Sequence, residues 1–538
     1  MIIESVFLFA MTPKTLSLSL LLALAFVFPA AAAVHARAVR PAEANVDVYF
    51  SFGPVPGVLP GGHVVTSGSV GRASVAPAGS DSVDVTVTIQ LPSSTSNITA
   101  SGEQWHCSTQ STTVTCFTAL FAGRNSELLN LAFDVSPTME PGAYDIKATM
   151  QTSLPNIYPA DSFHTTLYVP RSFTVTTADD FGAGSLRDVL TQANEHCNDP
   201  ALGCVINFAG PMTIEPTSPL PAITGCNVFI DGGVAQRESL DVARPVEISG
   251  AKAGFANGLE VRTACGATIR GVTVNRFAAN GIVVAQPLLK NQVTIESCFI
   301  GTDTTATEAR PNGMRGIAFE TPQSYAQIYN NTISGNRYSG IAIWAASSVY
   351  IMSNRIGLGR DSRPLGNGAS GVYVDGGQVT IFSTIAYNHD FGVGVGPHAV
   401  HVDAPAESLF ANGVQDIDWG LDGMTLTEPT SRMPPTPVLI DAAYDPARDV
   451  TTVRGVIPAE GRKNGLYTVR LYQRTSTGTK SLNPQLQQSI SGTADAPFTL
   501  NVSGDLRGST IAGQSAFLIF QDDFPTDTSE LSAPLAVQ

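Results

Sequence analysis

Residues 312–320 read Asn-Gly-Met-Arg-Gly-Ile-Ala-Phe-Glu, and the same register returns several times along residues 266–420. In each copy an asparagine stands four residues before a glycine or an aspartate, and a short apolar strand follows. The asparagines are Asn312, Asn336, Asn367, Asn388 and Asn412. The residues four positions later are Gly316, Gly340, Gly371, Gly392 and Asp416. One strand-like unit every 20–35 residues or so is typical of a solenoid.

Further strands are predicted between these units. An earlier turn carries Gly281-Ile282-Val283-Val284, with Phe277 where the asparagine would stand. Stretches such as Val293–Ile300 and Val379–Ile385 supply second strands, so each coil has two or three short strands around a shared interior. Stacked coils lie about 4.8 Å apart. The asparagines should therefore form a hydrogen-bonded ladder along the solenoid, with a structural role.

The composition places the chain in the all-β class. Among 538 residues there are 49 glycines, and only 14% of residues are charged. This composition and length, with many turn signals, predict more than one β domain. The formal charge of −15 argues against nucleic acid and an anionic membrane surface as partners.

Residues 1–36 have the pattern of a secretory signal peptide. Lys14 gives a short basic region, Leu16 to Phe28 is apolar, and Ala30 to Ala36 supplies small residues for cleavage. Met11 is an alternative start, because residues 1–10 contain Glu4 and no basic residue. No other stretch is apolar for long enough to span a bilayer. We therefore expect a secreted or cell-surface protein.

Seven cysteines fit an exported chain. Two close pairs flank predicted turns, and we expect each to form a disulfide: Cys107 with Cys116, and Cys197 with Cys204. Three cysteines remain: Cys226, Cys265 and Cys298. The sequence leaves their pairing open; a bridge between Cys226 and Cys265 would leave Cys298 as a buried free thiol.

Alternating strands flank the solenoid on both sides. Val83 to Ile89 and Leu129 to Val135 alternate apolar and polar residues, which predicts an antiparallel β-sandwich over residues 45–170. Thr451 to Val456 and Tyr467 to Tyr472 predict a second sandwich over residues 434–538. In the first, the order Trp105, Cys107, Cys116 and a following strand resembles the Ig-like modules of secreted bacterial surface proteins.

Residues 171–232 resemble the start of a known family. Phe173 to Asp180 is followed by Ser185-Leu186-Arg187-Asp188, and Val189 to Asn194 is predicted to continue as a short helix. The run is similar to the N-terminal cap of exported bacterial right-handed parallel β-helix proteins of the CSLREA-domain type, which have a pectin-lyase-like fold. The resemblance implies a cap over residues 171–232 and the β-helix over residues 233–428. The expected fold is an all-β, right-handed parallel β-helix solenoid flanked by two Ig-like β-sandwich modules.

Aligning the coils on their glycines defines rows that should face outward. Glu320, Trp344 and Asp375 stand four residues after the glycines of consecutive coils, and Tyr373 stands two residues after its own glycine. An aromatic residue between carboxylates suits sugar binding. Glu320 and Asp375 would lie two coils apart, about 9.6 Å at Cα, which makes them candidate catalytic residues of an inverting glycosidase.

The sequence favours binding over catalysis. Asp303 and Asp361 lie on protruding loops without a third carboxylate in register, so no metal site is predicted. Calcium is the cation that such carboxylates would suit. We expect a non-catalytic, monomeric module that binds a polysaccharide or a cell-surface protein, and no cofactor. The alternative is a polysaccharide lyase or glycoside hydrolase acting on the exposed coil face.

Overall fold

The computed structural model describes most of the chain after residue 47. The described ranges are 48–72, 82–121, 125–126, 128–154, 156, 162–233, 242–285, 293–321, 325–344, 348–421, 434–459, 464–475, 478–492, 494–518 and 526–538. The predicted signal peptide and the alternative start at Met11 lie outside them. The chain forms two compact units, Met1–Val169 and Pro170–Gln538. None of the described helices is both long and apolar enough to cross a membrane.

The first unit contains two antiparallel sheets around one core. Their order is β1-β2-β7-β4 and β5-β6-β3-β8-β9. The alternation predicted for Val83 to Ile89 is present, since every second side chain is fully buried. The strands are β1 Val48–Phe52, β2 His63–Arg72, β3 Ser82–Gln90, β4 Thr95–Ser101, β5 His106–Gln110, β6 Thr113–Phe121, β7 Leu129–Val135, β8 Gly142–Thr152 and β9 Ser162–Val169.

The second unit begins with strand β10, Arg171–Val175, and helix α1, Leu186–His196. Ser185 caps the helix by accepting a hydrogen bond from the Asp188 amide, and the inner face of the helix joins the solenoid core. The guanidinium of Arg187 binds Asp180 at 2.7 Å. The motif at residues 185–188 thus builds a helical cover over the first coil, and this helix begins earlier than the sequence predicted.

The solenoid is a stack of parallel coils. The strands are β11 Cys204–Phe208, β12 Met212–Ile214, β13 Val228–Asp231, β14 Val246–Ser249, β15 Leu259–Val261, β16 Ala267–Arg270, β17 Val272–Asn275, β18 Ile282–Val284, β19 Val293–Glu296, β20 Phe299–Ile300, β21 Ile317–Phe319, β22 Tyr325–Tyr329, β23 Thr332–Ile333, β24 Ile341–Ile343, β25 Ser348–Ile356, β26 Val372–Val374, β27 Gln378–Ala386, β28 Phe391–Val395, β29 His401–Asp403, β30 Leu409–Phe410 and β31 Gln415–Trp419. Single 3₁₀ turns occupy Gly250–Lys252 and Ala406–Ser408.

These strands line three faces of the solenoid. The first face contains β10, β11, β13, β16, β19, β22, β25, β27 and β29 in that order. The second contains β12, β14, β17, β20 and β23, and then the final residues of β25 and β27, with β30. The third is the seven-stranded sheet β15-β18-β21-β24-β26-β28-β31. Because β25 and β27 bend from the first face to the second, these two faces form one continuous sheet.

The asparagine ladder lies just before the third face. Asn336, for example, donates from Nδ2 to Asn367 Oδ1 at 3.0 Å, and its backbone amide donates to the same oxygen at 3.1 Å. The same side-chain bond links all five asparagines in order, at 2.9–3.0 Å. The ladder begins at the backbone amide of Phe277 and ends at Asp416, which binds Arg474.

The glycine four residues after a ladder asparagine is required by the closeness of the coils, and Asp416 takes this position only in the last strand of the third face. A Cβ on Gly316 would lie 2.6 Å from the carbonyl oxygen of Gly340 in the next coil. Any side chain there would force two coils apart and break their hydrogen bonds. The repeat is therefore fixed by packing at the turn.

A second ladder, which the sequence did not predict, lies at the bend between the first and second faces. Asn331 donates to Asn354 Oδ1 at 2.9 Å, and Asn354 donates to the Ser383 hydroxyl at 3.1 Å. The amide of Cys298 donates to Asn331 Oδ1 at 2.8 Å. The three side chains also hold backbone carbonyls of the preceding coils. This polar ladder stabilises the bend as the first one stabilises its turn.

The C-terminal part forms two antiparallel sheets with a core of their own. The strands are β32 Val438–Asp445, β33 Val450–Ile457, β34 Gly465–Thr475, β35 Gly478–Ile490, β36 Ala496–Ser503, β37 Thr510–Leu518, β38 Thr526–Thr528 and β39 Leu535–Ala536. Side chains from this part close the last coil where a further strand would otherwise pair. The backbone amides that donate to them are Val402 to Asp527 at 3.0 Å, Ala404 to Thr528 at 2.9 Å, Ala406 to Gln514 at 3.3 Å and Trp419 to Glu530 at 2.9 Å.

The cysteines pair as the close spacing predicted. Disulfides join Cys107 to Cys116 and Cys197 to Cys204. The first of them links the neighbouring strands β5 and β6 within one sheet. The arrangement left open by the sequence is also present: Cys226 pairs with Cys265, and Cys298 is a buried free thiol.

The ladder can be tested at Asn367, which is 1% exposed. Asn367→Ala removes its bonds to Asn388 and to the Ile333 carbonyl, and it takes away the oxygen that accepts from the backbone amide of Asn336. Each orphaned buried group costs about 1–3 kcal/mol, so we expect the free energy of unfolding to fall by about 2–4 kcal/mol in a urea titration followed by circular dichroism. Asn501→Ala, at an exposed asparagine, is the control and should change it by less than about 0.5 kcal/mol. Equal stability of both variants would contradict a structural ladder.

The thiol of Cys298 should be unreactive in the folded protein. Burial raises its pKa from 9.0 to about 12, so the thiolate that reacts is absent at neutral pH. Dithiobis-nitrobenzoate should therefore release one equivalent of chromophore only after denaturation, and none from Cys298→Ala. Because the folded pKa is the higher one, the stability contributed by the neutral thiol is complete below pH 9.0 and is lost as the pH rises toward about 12. Rapid labelling of the folded protein would contradict this burial.

Candidate functional site

The predicted outward row lies along the edge of the third face. Glu320, Trp344 and Asp375 follow directly after β21, β24 and β26. Their backbone amides continue the parallel ladder by donating to the preceding coil, at 3.0, 3.2 and 2.7 Å respectively. The three residues therefore stand on consecutive coils. Tyr373, in β26, lies on the same coil as Asp375.

The side chains two residues after each repeat glycine are more buried than the alignment of the coils predicted. Val283, Ala318 and Ala342 are all 0% exposed. Only Tyr373, which pairs with Ala342 in the next strand, is partly exposed. The accessible surface on this face is therefore narrower than the sequence predicted and centres on Trp344 and Tyr373.

Arg315 adds a positive charge to this surface. Its guanidinium carbon lies 4.0 Å from the centroid of the Trp344 ring, so one face of the indole is covered and Trp344 is not a bare platform. The Tyr373 ring is 6.1 Å from the Trp344 ring and tilted by 54°. Burial lowers the pKa of Arg315 and the charge of Glu320 opposes that shift, but an arginine stays protonated in proteins. We call Arg315, Glu320, Trp344, Tyr373 and Asp375 the Trp344 cluster.

Asp375 is held firmly by its neighbours. Its Oδ1 accepts a hydrogen bond from the His398 backbone amide at 3.0 Å, and His398 Nδ1 also lies 3.0 Å away. The Tyr373 hydroxyl interacts with the same carboxylate. Burial raises the pKa of Tyr373, and the charge of Asp375 raises it further. Tyr373 therefore remains a neutral hydroxyl at physiological pH.

This geometry suits binding better than acid–base catalysis. A pair of catalytic carboxylates must both exchange protons with the substrate or with water. Glu320 is exposed and available, but Asp375 is engaged by the backbone amide and the ring of His398. The aromatic rings, the guanidinium and the free carboxylate instead offer a mixed apolar and hydrogen-bonding surface.

The two protruding aspartates hold their own loops. Asp303 accepts hydrogen bonds from the amides of Thr307 and Glu308 at 2.8 and 2.9 Å. Burial opposes its ionisation, but hydrogen bonds from Thr305 and these amides bring its pKa below the usual value. Asp361 pairs with Arg363. Within the described ranges, no group of three or more His, Cys, Asp or Glu side chains could hold a metal ion.

Two members of the site were missed from the sequence. Arg315 directly precedes the repeat glycine Gly316, but the aligned coils do not indicate its stacking on Trp344, which depends on the path of the side chain. His398 follows β28 in a turn and comes back to Asp375 on the preceding coil. No spacing signal in the sequence connects His398 to Asp375.

The comparison with protein families agrees with the coil geometry. Residues 257–402 match the sequence model of a family described as "Right handed beta helix region". This part of the chain is a right-handed β-helix. The matched range contains Trp344, Asp375 and three complete inter-asparagine intervals. A comparison with curated protein sequences gives no match.

Similarities to solved structures are weak. The Actinomyces fimbrial adhesin FimA is 16% identical, with a TM-score of 0.16, over 22% of this chain and 54% of that chain. A β-glucuronidase from glycoside hydrolase family 2 is 10% identical, with a TM-score of 0.17, over 90% of this chain and 50% of that chain. The Bacteroides uniformis β-glucuronidase is 8% identical, with a TM-score of 0.17, over 91% and 61%. The chain thus spans about half the length of these proteins, and scores this low do not indicate a shared fold.

The stacking of Arg315 on Trp344 can be tested by fluorescence. Trp105 and Trp419 are 6% and 7% exposed, so acrylamide should quench mainly Trp344. Arg315→Ala uncovers the indole face, and we expect stronger quenching, a red-shifted emission and a loss of about 0.5–1 kcal/mol of stability. Arg337→Ala, at an exposed arginine one coil further along, is the matched control. Unchanged quenching in Arg315→Ala would show that the stacking does not form.

Proposed function

We propose that this chain is an exported, non-catalytic β-helix protein that binds a glycan through the Trp344 cluster. The observation that carries the proposal is the contact of an arginine, two aromatic rings and two carboxylates on consecutive coils of one face. Sugar C–H faces pack on aromatic rings, and sugar hydroxyls bond carboxylates and guanidinium groups. Asp375, fixed by His398 and Tyr373, would position the rings and not react.

The proposed location is outside the cytoplasm, either secreted or on the cell surface. Three disulfides support it, because disulfides persist mainly in oxidising compartments. The signal-peptide pattern of residues 1–36 points the same way. We further propose that the cap at residues 185–188 reflects kinship with the CSLREA-domain type, and that the two-sheet unit before residue 170 is an Ig-like spacer. In this proposal the protein acts as a monomer.

The second candidate function is a polysaccharide lyase or glycoside hydrolase. One observation favours it: Glu320 and Asp375 stand two coils apart with Trp344 between them. In this reading Glu320 would exchange protons with solvent and Asp375 would have to release His398 and Tyr373 on substrate binding.

A cell-surface protein is the other partner class that a mixed aromatic and charged surface would fit.

Glycan binding is the first test. The full chain should bind one or more members of a glycan array, and Trp344→Ala should weaken that binding by about tenfold, the effect of losing about 1.4 kcal/mol of contact. Phe255→Ala removes an aromatic side chain that is 80% exposed and outside the cluster, and it should bind as the unaltered chain does. An array without any bound glycan, or equal binding by both variants, contradicts the proposal.

Turnover is the second test and separates the two candidate functions. The bound glycan is incubated with the protein, and reducing ends and unsaturated products are measured. The binding proposal expects neither product. Turnover that disappears in both Glu320→Ala and Asp375→Ala would overturn the non-catalytic proposal and support the enzyme.

A further inference from the structure

A groove lies at the bend between the first and second faces, away from the third face that carries the Trp344 cluster. It has a volume of about 360 Å³. The bends of β25 and β27 and the turn before β30 line it, through residues that include Ser353, Phe382, Thr384 and Ser408. The volume is near the lower end of the usual range for small-ligand pockets, about 300–1,000 Å³.

The register of the coils sets the chemistry of one wall. Arg355 pairs with Thr384 in the neighbouring strand. Ile385 pairs with Leu409 in the next coil. Thr384 and Ser408 are the residues that directly precede this pair, so they also lie next to each other. A guanidinium and two hydroxyls therefore stand side by side on three successive coils. Such a row offers regularly spaced hydrogen-bonding groups at about 4.8 Å.

An aromatic ring also lines the groove. Phe382 is 53% exposed although it lies within a sheet, and its neighbour in the preceding coil is Met352. The ring therefore presents an apolar surface at the edge of a polar groove. A half-exposed ring beside hydroxyl groups is the arrangement on which a sugar ring packs.

Three of the four hydroxyl groups that line this groove have no hydrogen-bond partner within the described ranges. Ser353, Thr384 and Ser408 make no side-chain hydrogen bond to another residue in the described ranges. Their neighbours Asn354 and Ser383 are used, because both belong to the second ladder beneath the groove. The guanidinium of Arg355 is oriented by a hydrogen bond from Nη1 to the Arg360 carbonyl at 3.0 Å. The groove thus combines a fixed floor with three hydroxyls available to a ligand.

We propose that this groove is a second binding site, which takes one or two rings of a neutral saccharide. Phe382 would pack against the apolar face of a sugar, and Thr384, Ser408 and Arg355 would bond its hydroxyls. A nucleotide or a free phosphate fits less well, because Arg355 is the single cationic residue among those that line the groove and the chain has a net charge of −15. The proposal is independent of the Trp344 cluster, which lies on a different face.

Saturation-transfer NMR on the full chain tests the site with cellobiose, lactose, maltose and chitobiose as probes. We expect at least one of them to receive saturation and to bind about fivefold more weakly to Phe382→Ala, the effect of losing one aromatic contact. Thr384→Val, which keeps the shape and removes the hydroxyl, should weaken the same probe. The loss caused by Phe382→Ala should be the same in a Trp344→Ala background, which separates this site from the first. Phe255→Ala, at an exposed ring outside both sites, should bind the probe as the unaltered chain does.

Any of four results would overturn the proposal. The first is the absence of saturation transfer to all four disaccharides, and the second is binding that is unchanged in Phe382→Ala and Thr384→Val. Both variants change partly exposed side chains, and circular dichroism is the check that each is folded. Binding that is lost only in Trp344→Ala would support the first site and reject this one. Inorganic phosphate that displaces the sugar probe would reject a neutral-saccharide site in favour of an anion site.

Discussion

The close stacking of the coils is the constraint on which the rest of the structure depends. Parallel strands of adjacent coils share backbone hydrogen bonds only when they lie about 4.8 Å apart. At that distance the turn before the third face has room for a backbone and a small planar amide. Asparagine meets the need, since its carbonyl accepts from the preceding coil and its amide group donates to the next. A Cβ at the glycine that follows would collide with the adjacent coil.

A solenoid must also end, because its terminal coils have unpaired strand edges and an open core. Helix α1 covers the core at the first coil with an apolar face. The last coil is closed differently. Its backbone amides, which would donate to a further strand if one were present, donate instead to the side chains of Asp527, Thr528, Gln514 and Glu530. These side chains satisfy the hydrogen bonds of the backbone amides without adding another strand. They therefore leave no new strand edge with which another chain could pair. The segment around Asp527 therefore contributes to the stability of the solenoid.

The same stacking creates the surfaces that can bind a ligand. Because each coil repeats the register of the one before, residues that are 24 or 31 positions apart in sequence become neighbours in a row. The Trp344 cluster is such a row on the third face, and the groove beside Phe382 is such a row at a bend. Both combine an aromatic ring with hydrogen-bonding groups on successive coils. Binding in this fold would then depend on a few outward-facing side chains, while the buried side chains repeat from coil to coil and hold the scaffold.

The sequence by itself determined the scaffold and the rows. The spacing of Asn312 to Asn412 predicts the coils and their ladder, because this spacing follows from local turn geometry and strand pairing. It also placed Glu320, Trp344 and Asp375 on consecutive coils. The tertiary structure decided what those side chains do: Arg315 covers one face of Trp344, and His398 and Tyr373 hold Asp375. Such contacts depend on side-chain rotamers and on turns of variable length, which no periodic pattern encodes. The second ladder was missed for the same reason, since Asn354 is followed by Ser383, and a serine in place of asparagine breaks the repeat in sequence but preserves the hydrogen bond in space.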